Sequence, residues 1–341
     1  LHWNRKVVTS LFMSDSMKAV VIREPGGPEV LEIQEVAIPD PGPKQVRVKV
    51  AVSGVNRADL LQRLGRYPAP PGYPEEIPGL EFAGAVDAVG RGVTTVAPGD
   101  QVMGILGGGG YAEYALSPSD TLVPIPDGMP SDKAGAIPEV FMTAFDAAFL
   151  QEGLRAGETL LVHAVGSGVG TAAVQLARRA GASVIGTSRT LEKLDRASRL
   201  GLENGVLADD SWPKRVLELT GGRGADVILD LVGGPYFEGN QRVIATKGRH
   251  IVVGVPGGSD STVNLGRLMG KRASIRGTVL RARPLPEKVG LSQAFVEDVL
   301  PGFISGELEP VIDKIFPAAE ADEAHRYMEE NRNFGKILLE W

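Results

Sequence analysis

Apolar and polar positions follow two different patterns along the chain. From Met17 to about Pro138, short β-branched runs such as KAVVIRE, QVRVKVAVSGV, FAGAVDAVG, DQVMG and YAEYALSP are broken by Pro and Gly. The strict alternation in VRVKVAV is that of a strand with one buried face, and the spacing predicts a compact, mostly antiparallel β unit. From about Glu139 to Thr278, apolar runs alternate with helical stretches: TLLVHAV, SVIGTS, NGVLAD, DVILDLV, RHIVVGV and ASIRGTV. Six buried strands joined by crossovers predict an α/β, doubly wound parallel sheet. Beyond it, PEKVGLSQAFVEDVLPGFISGEL reads as helical, PVIDKIFPAAEADEAHRYMEEN ends in another helix, and GKILLEW is a final strand expected to return to the first unit. Residues 1–16, LHWNRKVVTSLFMSDS, precede the periodic text and read as a disordered extension.

The stretch HAVGSGVGTAAVQLARRAGASVIGTSR, His163 to Arg189, misses the literal G-x-G-x-x-G dinucleotide pattern in either register. Its context supports binding all the same. A buried strand precedes Gly166, Ser167, Gly168, Val169 and Gly170, after which Ala172, Ala173, Leu176 and Ala180 recur at helical spacing up to Gly181. Small residues at such a turn let phosphates approach free N–H groups at the positive end of a helix. The alternative is a tight turn without a ligand. About twenty residues on, an acidic residue would hold a ribose hydroxyl and a basic one a 2′-phosphate. Ser188, Arg189 and Lys193 occupy that region, which favours NADPH over NADH; otherwise Arg189 is an ordinary solvated loop charge.

Composition narrows the chemistry. The 341 residues carry a formal net charge of −6, so no general attraction to nucleic acid or anionic membrane is expected, and anions must be held locally. There is no cysteine, hence no disulfide, thiolate zinc site or cysteine nucleophile, and a cytoplasmic location is expected. Only His2, His163, His250 and His325 could supply imidazole, and His163, inside a strand run, reads as a packed ring.

Several motifs together, GVNRADLLQRLGRYPAPPG, IPGLEFAGAVDAVG, GGYAEYA, IPEVFMTAF, HAVGSGVG, DLVGG and NFGKILLEW, resemble the zinc-independent quinone oxidoreductases of the medium-chain dehydrogenase/reductase superfamily. NRADLLQRLGRYPAPPG is most similar to the tumour-suppressor-inducible quinone reductase subgroup. The resemblance implies a GroES-like catalytic domain (17–138 and 279–341) around an inserted Rossmann domain (139–278). It implies an NADPH-dependent reductase of quinones or related conjugated carbonyls. An enone or alkenal double-bond reductase, and an NADPH-binding sensor without turnover, remain alternatives. By resemblance, Asn56 lies beneath the nicotinamide and donates to the acceptor oxygen, Tyr67 is an aromatic lid, and Thr143 sits near the nicotinamide amide or ribose; water or Tyr67 is expected to supply the proton. Asp59 reads as a helix-start or salt-bridge residue. Gly254, Val255, Thr278 and Leu280 bring backbone groups to the nicotinamide end, and Asn333 and Lys336 complete the cofactor set. Zinc-bearing relatives place cysteine at the position of Asn56 and histidine at that of Leu80, so no metal is expected. A homodimer is expected through the Rossmann domain, with ASIRGTV as the pairing sheet edge.

Overall fold

The computed structural model describes residues 16–341. The expected extension lies outside the described residues except for Ser16, which departs from that expectation by pairing with Ala37 in the first strand. β1 (Ser16–Ile22) and β2 (Leu31–Ala37) form an antiparallel pair. They are followed by β3 (Gln45–Val55), α1 (Arg57–Arg63), β4 (Glu81–Val89), β5 (Gln101–Ile105), β6 (Tyr114–Pro118) and β7 (Val123–Pro124). The alternation in β3 works as the pleat requires: Val46, Val48, Val50 and Val52 are buried while Lys49 faces solvent.

α2 (Ser131–Gly135) and α3 (Pro138–Phe145) lead through a π-helical turn at Asp146–Gln151 into the parallel sheet. That sheet is built from β8 (Thr159–Val162), α4 (Gly168–Arg179), β9 (Ser183–Ser188), α5 (Leu191–Ser198), β10 (Asn204–Leu207) and α6 (Trp212–Leu219). It continues with β11 (Ala225–Asp230), α7 (Gly234–Val243), β12 (Ile244–Val252), α8 (Leu265–Lys271) and β13 (Ser274–Gly277). The strand order is β10-β9-β8-β11-β12-β13 with every pairing parallel. The order reverses between β8 and β11, and doubly wound sheets bind ligands outside the C-terminal ends of strands at such a point. β13 lies at the edge, as expected of ASIRGTV, and departs only from the buried pattern read for all six strands. It is a sheet edge with one free side, and Ser274, Arg276 and Gly277 are exposed.

α9 (Leu285–Asp298), α10 (Leu300–Ile304), β14 (Ile312–Pro317), α11 (Ala321–Glu329) and β15 (Lys336–Glu340) complete the chain. β15 pairs antiparallel with β3 and parallel with β14, so the C-terminal segment rejoins the first sheet, whose order is β14-β15-β3-β4-β5-β7 with β6 also on β3. A single apolar cluster crosses between the two sheets. It links Ala83, Met103 and Val123 of the first sheet through Ile137, Phe141 and Phe145 of α3 to Leu160, Val162, Ala172 and Leu176. α3 is therefore a wall shared by both units, which fixes its remaining polar positions relative to each.

Candidate active site

The glycine turn follows β8 directly. Ser167 is the N-cap of α4, and its hydroxyl accepts from the Gly170 amide at 3.0 Å while its carbonyl accepts from Thr171. The expected cofactor residue thus spends its side chain on the helix. The amides of Gly168 and Val169, first in the helix, have no intrahelical acceptor and remain for an anion. Gly170 is required by space, since a Cβ there would lie 2.6 Å from the Val165 carbonyl oxygen.

At the C-terminal end of β9, Ser188 is buried and Arg189 is exposed. Three basic side chains gather here: Arg189, Lys193 on α5, and Arg57, which reaches over from α1 of the other unit. Among the described residues none of the three is in an ion pair. Lys193 donates to the carbonyls of Asn331 and Asn333, both at 2.7 Å, and keeps one N–H free. Arg57 donates to the Asn331 side-chain oxygen at 2.5 Å. Partial burial and then the Arg189 charge lower the pKa of both Lys193 and Arg57. Arg57 was not among the residues expected from sequence; the only available signal was its position directly after Asn56. The Asn331–Gly335 loop ties this end together, for Gly335 donates to the Gly166 carbonyl at 2.9 Å and Asn333 donates to the Gly335 carbonyl at 2.9 Å.

Beside the glycine turn, where a Cβ on Gly168 would lie 3.1 Å from the Lys336 side chain, a second group is organised around a buried ion pair. Lys336 Nζ donates to Glu81 Oε1 at 2.6 Å, to Asn56 Oδ1 at 2.8 Å and to the Val55 carbonyl at 2.9 Å. Asn56 Nδ2 donates to Glu81 Oε1 at 2.9 Å and to the Gly54 carbonyl at 3.2 Å. A flipped amide would face nitrogen to the ammonium and oxygen to the carboxylate, so this orientation is the favourable one. Both amide hydrogens are used, and Asn56 is held rather than free to donate. Its backbone amide is taken by Asp59 at 2.7 Å, which makes Asp59 the capping partner of α1. Burial raises the Asp59 pKa to about 6.

Glu139 stands at the start of α3, with its backbone amide donating to Glu81 Oε2 at 2.8 Å. Its own carboxyl is half-buried and makes no hydrogen bond among the described residues. Burial, then the negative charge of Glu81, push its pKa up to about 8. Thr143 lies one turn along the same face of α3, 9% exposed. Tyr67 is half-buried, and its phenol pKa is raised by burial while the Arg281 and Glu139 charges act on it in opposite directions. Arg281 clamps that loop by donating to the Tyr67 carbonyl at 2.9 Å and the Gly107 carbonyl at 2.7 Å, its guanidinium 5.1 Å from the Tyr67 ring centre. Neither Glu139 nor Arg281 was picked out from sequence. Glu139 had one readable sign, its spacing of four from Thr143.

The remaining expected residues scatter. The Thr278 hydroxyl joins a network of Gln151, Asp146 and Arg283, with contacts of 2.7 and 2.6 Å from Gln151 and Arg283. Leu280 is buried, Val255 is 45% exposed, and Gly254 follows β12. His163 is sealed between Thr187 at 2.8 Å and Asn240 at 2.6 Å, and burial lowers its pKa to about 4, which leaves it neutral and packed.

A β unit that takes back its C-terminal strands around a doubly wound sheet, with the cleft between them, defines the medium-chain dehydrogenase/reductase class. Comparison with known proteins agrees. Residues 42–127 match the alcohol dehydrogenase GroES-like domain and residues 168–293 the domain described as zinc-binding dehydrogenase. Quinone oxidoreductase from Rattus norvegicus is 33% identical over 331 residues, covering 95% of this chain and 97% of the relative. A solved NAD-dependent alcohol dehydrogenase is 37% identical with a TM-score of 0.86, covering 95% and 100%. A mycobacterial protein solved in complex with NADPH is 28% identical with a TM-score of 0.86, again covering 95% and 100%. The chain belongs to the quinone oxidoreductase family.

The zinc named in one family description does not fit the residues here. Asn56 and Leu80 offer no thiolate or imidazole, and the Lys336 ammonium already sits against Glu81 and Asn56, where a second cation would be repelled. Among the described residues no group of three or more His, Asp or Glu side chains could hold a metal, and no helix is long and apolar enough to cross a membrane.

Proposed function

We propose that this protein is an NADPH-dependent, metal-free reductase that passes hydride to quinones or related conjugated carbonyls, and that it works in the cytoplasm. The observation that carries the cofactor is the cluster of Arg57, Arg189 and Lys193 beside β9. Three cations with no carboxylate partner call for an anion, and a ribose 2′-phosphate is the one part of NADPH that NADH lacks. The amides of Gly168 and Val169 suit a diphosphate. Bound NADPH would supply hydride from its nicotinamide. The chain's own residues hold the acceptor in the cleft beside Tyr67 and Thr143 and shield it from water, which is a contribution of orientation and electrostatics. Asn56, fixed by Lys336 and Glu81, shapes the floor. Oxidation of NADPH by a panel of ortho- and para-quinones and conjugated aldehydes tests the reading. Turnover with quinones is expected; preference for the aldehydes would favour a double-bond reductase, and tight NADPH binding without turnover a sensor.

We further propose a homodimer paired through the β13 edges, supported by the exposed Leu265, Met269 and Val279 flanking that edge. Light scattering should give twice the chain mass; a monomer at micromolar concentration would rule the dimer out.

A further inference from the structure

The reduction of a quinone consumes a proton as well as hydride, and the cleft has few groups able to deliver it. Asn56 has no free hydrogen, since both go to Glu81 and Gly54. Lys336 gives its three hydrogens to Glu81, Asn56 and the Val55 carbonyl. His163 is sealed inside the parallel sheet, and Asp59 faces Tyr111 and the Asn56 amide inside the β unit. The Tyr67 hydroxyl is free among the described residues, but burial raises a phenol pKa that is already about 10, which makes it a far weaker acid at neutral pH. Glu139 differs from all of these. Its carboxyl is half-buried, unpartnered, and placed one helical turn from Thr143 on the one polar face of a helix whose other side is packed into the shared core.

From this geometry we infer that Glu139 is the general acid that protonates the acceptor oxygen. The inference rests on the reductase reading above. As hydride arrives on the acceptor, negative charge grows on its oxygen; the Glu139 O–H bond breaks while the O–H bond of the product forms. For a quinone the sum is quinone plus hydride plus one proton, giving hydroquinone, and the Glu139 carboxylate regains its proton from water at the open side of the cleft.

The surroundings suit that role. Glu81 and Asp59, from β4 and α1, disfavour a second negative charge, whereas Lys336 on β15 and Lys288 on α9 moderate the effect, and Arg281 and Tyr67 face it from the loops opposite. Glu81 already accepts from Lys336, and its negative charge beside Glu139 favours the protonated form of Glu139. With a pKa of about 8, Glu139 is protonated at neutral pH and is spent only on the alkaline side.

The test compares wild type with Glu139→Gln and Glu139→Asp in three measurements: the pH profile of kcat with a quinone, NADPH affinity, and infrared titration of the carboxyl band in the protein without NADPH. General acids contribute roughly 10²- to 10⁴-fold, so E139Q should lose at least about a hundredfold in kcat with NADPH affinity unchanged. Wild-type activity should fall above about pH 8, and E139Q should lack that limb. E139D should retain the limb at an intermediate rate. The infrared band titrating near pH 8 should vanish in E139Q. An E139Q enzyme as fast as wild type with its alkaline limb intact would overturn the assignment alone. A wild type that reduces none of the acceptors would overturn it together with the reductase reading, and so would be told apart.

Discussion

Two charged clusters flank the glycine turn, one around Asn56 and one around Arg189, yet they differ in how their charge is balanced. Around Asn56 the balance is internal: Lys336 answers Glu81, the Asn56 amide bridges them, and every hydrogen of the ammonium has an acceptor. Around Arg189 it is not, for three cations share only neutral oxygens as partners. A closed network positions side chains and costs a great deal to break, because removing one member strands a buried charge. An open cluster costs little to alter and awaits a ligand. The first cluster is built for geometry and the second for binding.

The sharpest way to break this contrast is Lys336→Met. It leaves the Glu81 carboxylate, 0% exposed, without its cation and should cost about 3 to 5 kcal/mol in urea unfolding. Adding Glu81→Gln should recover part of the loss, since the two sites are in contact and do not add. A loss below about 1 kcal/mol, the range of exposed pairs, would mean that the pair is not closed.

At the open cluster, Arg189→Ala should leave the unfolding midpoint unchanged while weakening NADPH. Charge-assisted hydrogen bonds are worth roughly 1.5 to 3 kcal/mol, or about tenfold to a hundredfold in affinity. NADH affinity should hardly move, and equal losses for both cofactors would assign Arg189 to general solvation of the loop. If Lys193 shares the load through its free hydrogen, the double substitution will show it. Arg57→Ala should have a smaller effect, about twofold to tenfold on NADPH, because that side chain already donates to Asn331.

A pH effect separates the clusters in a further way. A carboxyl whose pKa is raised on folding binds more protons when folded than unfolded, so stability falls as pH rises through its window. For Glu139 the window runs from its ordinary 4.5 to about 8. Asp59, raised to about 6, has nearly finished titrating by about pH 7, and His163 and His325, lowered from 6.5 to about 4 and about 3, act in the opposite sense as their last unfolded-state protons leave, so a net decline between pH 7 and 8 belongs to Glu139. Thermal melts of E139Q should lack it; an identical slope in both proteins would place the proton elsewhere.

Much of this was legible in the chain. All six strands of the parallel sheet overlap the apolar runs, and the buried ones do so because burial is written locally, although β12 begins at Ile244, five residues before its run, and β13 is an exposed edge. The glycine turn was readable from the strand before it and the helix after it. The role of Ser167 was not, since an N-cap serine and a phosphate-binding serine occupy the same place in the pattern. The state of the Asn56 amide was beyond reach for another reason: the ammonium that engages it comes from Lys336, 280 positions away. β14 escaped notice because only Phe316 of its six residues is buried, so pairing with β15 rather than apolar alternation makes it a strand. Long-range polar pairing of this kind has no periodicity to read.

The most direct test of the central claim, that the open cationic cluster holds a 2′-phosphate, is the affinity of the unmodified protein for NADPH and for NADH by fluorescence titration at one fixed salt concentration. The cluster predicts NADPH tighter by about tenfold to a hundredfold, with the advantage shrinking as salt rises. Equal affinity, or NADH the tighter ligand, would contradict it.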